Sequence, residues 1–327
     1  MPIAVLASLA AGACFALAGV LQQRAASARP AEEALSLTLL RHLAQQPMWL
    51  SGIAFAFLAY GFQALALASA PLSLVQPLIV CELIFAVPLS ARLGRMRLGA
   101  REWGGTLAVA AGLAAALSTA RPHGGSSTGA DLGPWLMTLG SVCGVTVCAL
   151  VARRFVGGTW QASLVALAGG TVMGFQSVLL AITVAHMERG LLALFTAWQT
   201  YLLVIASVAG LLLIQSAFQA GPLAATMTVI DATEPAVAIA TGTTLFGETL
   251  HLGWPTSGFT VLGVCLTVFG IVRLNSSPVI AALHRGQAHD RRGLASKGPG
   301  GPGGPGGPGG PGGLGSPREA GSPERPS

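Results

Sequence analysis

The sequence predicts an all-α, polytopic membrane protein, and three observations carry that prediction. Of 327 residues, 52% are hydrophobic and 9% are charged, against roughly a quarter charged in soluble domains. The apolar residues fall into nine runs of bilayer-crossing length, since a hydrocarbon core about 30 Å thick takes about 20 residues of helix. The basic residues gather at alternate ends of those runs.

In chain order the runs are residues 3–22, 49–69, 72–91, 103–120, 133–151, 161–185, 194–218, 223–246 and 256–272. The first has no basic stretch before it and no soluble domain after it, so it reads as a span and not as a removable leader. Residues 31–46, between the first two runs, hold Leu35, Leu37, Leu39, Leu40 and Leu43 together with Glu32, Glu33, Arg41 and His42. That mixture fits a surface or connecting helix better than a tenth crossing. After the last run the composition changes to GPGGPGGPGGPGGPGGLG at residues 298–315. Such a tract cannot bury enough apolar surface to offset its ordering entropy, so residues 276–327 are expected to form a disordered Gly/Pro-rich tail.

With the N-terminus outside and nine spans, all 18 Lys and Arg except Arg121 and Arg189 fall on the inner side. The positive-inside rule then fixes the expected topology: a multi-pass protein of the plasma or inner membrane, N-terminus outside and C-terminus cytoplasmic. The net charge of +6 needs no nucleic-acid partner, because no basic stripe with interleaved aromatics is present. The expected partners are the lipid bilayer and a small-molecule or ion substrate, with a homodimer left open. Cys14, Cys81, Cys143, Cys148 and Cys265 lie within runs without a CxxC spacing and read as small packing residues. Trp49, Trp103, Trp135 and Trp254 lie near run ends, where aromatic belts form.

A duplication underlies the runs. One constant offset carries Gln63 onto Gln215 and Glu82 onto Glu234; offsets differing by one residue carry SAPLSL (69–74) onto AGPLAA (220–225) and RLGR (92–95) onto LFGE (245–248). Corresponding runs are separated by an odd number of crossings, so the second copy enters the membrane in the opposite sense. This is the inverted-repeat arrangement, in which sites form near the midplane between halves. The expected organisation is a first membrane repeat over residues 1–120, an inter-repeat loop over 121–132, a second repeat over 133–275, and the tail.

A carboxylate at the centre of a span costs about 3 kcal/mol on insertion scales and normally faces a cavity or a partner. Glu82 lies midway along its run and Glu234 midway along the repeat-related one, with Asp231 one turn earlier on the same helix face. Pro77 and Pro88 bracket Glu82, and Pro235 follows Glu234. Proline removes a backbone donor and frees a carbonyl one turn earlier, so these three are expected to break their helices beside the acids. Glu82, Asp231 and Glu234 are therefore the expected substrate or ion site, with Gln63 and Gln215 as repeat-related polar partners. Gly140 with Gly144, and Gly170 with Gly174, have the spacing of close helix crossings, expected within the chain. No HExxH or Walker A motif occurs and no His lies deep in a run, so neither an enzyme nor a cofactor is expected.

The stretch RHLAQQPMWLSGIAFAFLAYGFQALALASAPLSLVQPLIV at 41–80, GGTLAVAAGLAAAL at 104–117 and LFGETLHLGWPTSGFTVLGVCLTVFGIV at 245–272 resemble the half-repeat of the drug/metabolite transporter superfamily. GVLQQRAA at 19–26 and APLSLVQPL at 70–78 are similar to its NIPA-like magnesium transporter branch. The resemblance implies an EamA-like bundle of two inverted repeats that carries small metabolites by alternating access. RLGR at 92–95 departs from the LGE of the superfamily pattern. The expected function is secondary transport of a small polar solute, coupled to protons or ions through the mid-membrane acids. The alternatives are a NIPA-like Mg²⁺ or divalent-cation carrier, with Glu82, Asp231 and Glu234 as metal ligands, and a non-transporting membrane scaffold acting through its tail.

Overall fold

The protein was described from a computed structural model, which covers residues 2–69, 75, 78–95, 97–119, 122–123, 132–246, 249–250 and 256–280. Its helices are α1 (Pro2–Ser27), α2 (Leu37–Leu43), α3 (Pro47–Ser69), α4 (Glu82–Leu93), α5 (Ala100–Thr119), α6 (Leu132–Ala152), α7 (Thr159–Glu188), α8 (Leu191–Thr196), α9 (Trp198–Ala220), α10 (Leu223–Phe246) and α11 (Thr256–Asn275). A two-residue antiparallel pairing, β1 (Pro122–His123) with β2 (Thr249–Leu250), joins the loop after α5 to the loop after α10. The long helices arise from uninterrupted apolar sequence, and turn chemistry ends them. Gly158, at φ 63°, separates α6 from α7, and Gly190, at φ 115°, separates α7 from α8, conformations that a side chain would strain.

Seven helices among the described residues are long and apolar enough to cross a membrane: Pro2–Ser27, Pro47–Ala66, Leu132–Ala152, Thr159–Met187, Trp198–Ala220, Leu223–Leu245 and Ser257–Asn275. The protein is thus a largely helical, multi-pass membrane protein. Of the other two expected spans, 103–120 falls in α5, whose first turn carries Arg101 and Glu102. Residues 72–91 are described only in part, and α4 begins within them at Glu82. Residues 31–46 do not cross: they form a 3-10 turn, Ala31–Glu33, and the seven-residue α2. Leu39 and Leu43 of α2 are fully buried against the bundle, so the leucines dock while Glu33 pairs with Arg29 at 2.6 Å and His42 at 3.0 Å.

The bundle has two similar clusters and a seam. On one side α1 packs along α3 and against α4; on the other α7 packs along α9 and against α10. Across the seam α4 meets α10, α5 lies along α11, and α1 touches α9. Glycine permits the closest crossings. A Cβ on Gly112 would lie 2.6 Å from the Gly263 carbonyl oxygen, and one on Gly270 would lie 2.6 Å from that of Gly105. Gly105 therefore faces Gly270 while Gly112 faces Gly263, which makes α5 and α11 antiparallel.

Two expectations about small residues separate here. Gly170 and Gly174 do face a helix of the same chain, α10, but a Cβ on Gly140 or Gly144 would meet nothing within 4 Å. The expected within-chain crossing at Gly140 and Gly144 is therefore absent, because α6 packs on α7 through its other face. Trp49 and Trp135 are buried, and Trp135 meets Trp198 edge-to-face at 4.7 Å, so these two serve the interior and not a lipid-facing belt; Trp254 lies outside the described residues. Cys143, Cys148 and Cys265 are exposed and only Cys14 and Cys81 are partly buried, so the packing role expected of all five fits two. Of the expected tail, residues 281–327 lie outside the described residues, whereas Ser277 and Ile280 are buried.

Candidate functional site

The acids come together on the seam between α4 and α10. In the first half the helix is interrupted at Val80 and Cys81, where the backbone makes short-range bonds from Cys81 N–H to Leu78 O at 3.2 Å and from Leu83 N–H to Val80 O at 3.2 Å. Glu82 is the first residue of the restarted helix α4. The break precedes the acid, and the expectation of one at Pro88 is corrected: Pro88 is accommodated within α4. Pro77 lies outside the described residues. Pro235 likewise sits inside a continuous α10, so it frees the carbonyl of Asp231 without breaking the helix as expected.

Close helix contact holds α10 in position. A Cβ on Gly170 would lie 2.9 Å from Thr233 Cβ and 3.2 Å from the Ile230 oxygen, and one on Gly174 would collide with the Glu234 carbonyl and lie 2.8 Å from Val237 Cβ. In the first half, Gly12 of α1 lies against the segment around Glu82: its Cβ would be 3.0 Å from the Ile79 oxygen and 3.4 Å from the Glu82 nitrogen. Each acid-bearing segment is therefore backed by a helix that carries glycine at the acid's level.

Glu82, Asp231 and Glu234 are near enough to interact electrostatically with one another. The Ser177 hydroxyl of α7 donates to Glu234 Oε1 at 3.4 Å. Asp231 Oδ2 is buried with no hydrogen-bond partner among the described residues. No ion pair reaches any of the three acids among the described residues, where the Arg29–Glu33–His42 cluster supplies the salt bridges. Three half-buried carboxyl groups without a positive partner among the described residues require a proton, a cation or water to complete them. No group of three His, Cys, Asp or Glu among the described residues is arranged to hold a metal ion, so the three acids do not form a ready-made metal cage.

Tyr60 of α3, absent from the sequence-derived set, is 59% exposed yet within electrostatic reach of Glu82 and Glu234. Its ring packs edge-to-face on Phe15 of α1, 5.1 Å between centroids. Tyr60 is one of two tyrosines in the chain, and a hydroxyl midway along an apolar run was the available signal. Ser177 had none, because serine in a span ordinarily bonds its own helix, as Ser177 also does to Met173 O at 3.1 Å.

The two glutamines do not behave as a pair. Gln63 is half-buried on α3, one turn beyond Tyr60. Gln215 is fully buried at the far end of α9 and donates through Nε2 to Gln22 Oε1 of α1 at 2.8 Å. It joins α1 to α9 and stands apart from the acids. A separate groove of ≈ 220 Å³ between α6, α7 and α10 carries the hydroxyls of Thr138, Ser141, Thr171, Thr241 and Thr244, and none of the three acids lines it.

Among known proteins, the chain is similar to an uncharacterized protein of Corynebacterium glutamicum, with 29% identity over 292 residues that cover 84% of this chain and 96% of that protein. No family model matches the chain, and no solved structure matches it.

Proposed function

We propose that the chain is a secondary transporter that carries a small polar solute across the cell membrane by alternating access, with proton coupling through Glu82, Asp231 and Glu234. One observation carries the reading: three mutually interacting carboxyl groups occupy the seam between two helix clusters with no ion-pair partner among the described residues. Holding three half-buried carboxyl groups within membrane helices without compensation is too costly to be kept for packing alone, whereas a site that exchanges a proton for a solute requires such a vacancy for positive charge.

The inverted-repeat organisation is part of the proposal. It is supported by the packing of α1 with α3 and α4, which parallels that of α7 with α9 and α10, and by the glycines of α1 and α7 that back Glu82 and Glu234 respectively. Repeats related in this way form their site at the shared seam, and a helix interrupted at that depth is tolerated where it lines a cavity. The interruption at Val80 and Cys81, next to Glu82, supports that reading. A proton is favoured over a divalent cation as coupling ion, because no three ligating groups among the described residues are arranged around one point. The same reading keeps the N-terminus outside and the Arg-rich turns in the cytoplasm.

The test is solute binding by purified protein across a panel of amines, amino acids, sugars and organic acids, comparing wild type with Glu234→Gln. A solute whose affinity rises with pH in wild type and becomes pH-independent in Glu234→Gln supports the reading. Identical pH profiles in the two proteins for every bound solute would remove Glu234 from the mechanism.

A further inference from the structure

Glu102 is a buried carboxylate, 2% exposed, that the transport reading leaves unused. It stands at the start of α5 and is fully satisfied: the Ser277 hydroxyl donates to its Oε1, and the Gly99 N–H donates to its Oε2 at 2.8 Å. Ser277 in turn accepts the N–H groups of Val279 at 3.1 Å and Ile280 at 3.2 Å. These bonds fold the chain beyond α11 into a turn that returns it to the bundle, where Ile280 is fully buried.

The position of Ile280 gives the turn a role. It packs in one cluster with Val87 of α4 and with Ala224 and Ala225 of α10. Those two helices bear the acids. Ala225 precedes Asp231 by six residues and Val87 follows Glu82 by five, which at about 1.5 Å per residue sets Ile280 about 9 Å from the carboxyl groups along the helix axes. The same end of the bundle is tied by Thr159 Oγ1 to Asn275 O at 2.9 Å, by Ser163 Oγ to Asn275 Oδ1 at 2.7 Å, and by Gln23 Nε2 to Gly221 O at 3.2 Å.

We propose that residues 277–280 are a plug that closes the seam between α4 and α10 on the cytoplasmic side of the acid cluster, and that the Glu102–Ser277 hydrogen bond is its latch. The sidedness rests on the transport reading, in which the seam is the path of the solute; the seal itself does not. Departure of Ile280 would open a gap between helices lined by alanine and valine. Displacement of Glu102 would release Ser277 and with it the turn.

The experiment uses full-length protein with its five cysteines replaced and Ala225→Cys introduced, reacted in detergent with a charged, membrane-impermeant maleimide. With the plug intact, labelling at this position is expected to be slow. Ile280→Ala and Ser277→Ala are each expected to raise the rate about tenfold or more, because the seated side chain or its anchor is lost, whereas Ile280→Leu stays slow. A chain ending after Ile280 should label slowly and one ending after Ser276 fast. Ala166→Cys, in the core of α7, is the control and should stay slow in every variant. Unchanged labelling at residue 225 in Ile280→Ala overturns the proposal, and so does parallel acceleration at residue 166, which would mean general loosening. No transported solute is involved, so a failed transport assay leaves this result standing, and a failed labelling result leaves the Glu234→Gln comparison untouched.

Discussion

Replacing Gly174 by alanine adds one methyl group at the tightest contact of the candidate site, and Gly144 provides its internal reference. Both are helical glycines, so both substitutions gain the same intrinsic helix propensity, about 1 kcal/mol, and that gain cancels in their difference. What remains is packing. At Gly144 the new carbon meets nothing within 4 Å; at Gly174 it strikes the Glu234 carbonyl, Val237 Cβ at 2.8 Å and Ala238 N at 3.1 Å. Carbon atoms rest about 3.5–4.0 Å apart, so α7 and α10 must separate by most of an ångström. Two of the struck atoms belong to backbone and cannot rotate away. Overpacking of this kind costs about 1–3 kcal/mol, so Gly174→Ala should be less stable than Gly144→Ala by that amount. The assay is reversible unfolding in mixed micelles, read by tryptophan fluorescence. Equal stabilities, or a less stable Gly144→Ala, would refute the assignment of which glycine pair lies at a helix crossing.

Three other outcomes are expected. Burial pushes the Glu33 carboxyl up, but hydrogen bonds and charge from Arg29 and His42 outweigh it and hold the group below the usual range. Its stabilising contribution is therefore complete above its unfolded value, about 4.3, and is lost as pH falls through the lower folded value; Glu33→Gln should flatten the acid limb of the stability curve, and unchanged limbs would contradict the pairing. The Gln22–Gln215 bond of 2.8 Å should give a coupling of about 0.6–1.7 kcal/mol in a double-mutant cycle with leucine at each position, and zero coupling would contradict it. Tyr60→Phe keeps the ring on Phe15 but removes a hydroxyl within electrostatic reach of Glu82 and Glu234; it should shift the pH profile of transport while leaving the unfolding midpoint in place, and an unshifted profile would take Tyr60 out of the site.

The lengths of the long helices were legible because apolar run length is a local property. The same holds for the acids, which interrupt runs that otherwise exclude charge, and for residues 31–46, whose mixed charges and leucines mark a docked surface segment. Contacts between distant segments left no such trace. Ser277 lies 175 residues from Glu102, and neither periodicity nor composition links them. Nothing in the sequence marks Glu102 as buried and satisfied. Proline misled for a related reason: it marks where a helix is able to break, but the surroundings decide, and the interruption fell at Val80–Cys81 while Pro88 and Pro235 stayed helical. Spacing alone could not tell the glycines of α6 from those of α7, because the face that meets a neighbour is set by the packing of the whole bundle.

The central claim is that Glu82, Asp231 and Glu234 exchange protons against a solute. The most direct measurement is proton movement in proteoliposomes with an internal pH-sensitive dye, driven by an imposed gradient of a solute identified by binding. Wild-type protein should acidify or alkalinise the lumen in step with solute flux, and Glu82→Gln and Glu234→Gln should abolish that signal while still folding and inserting. Solute flux with no accompanying proton movement in wild type, or proton movement that survives both substitutions, would contradict the account.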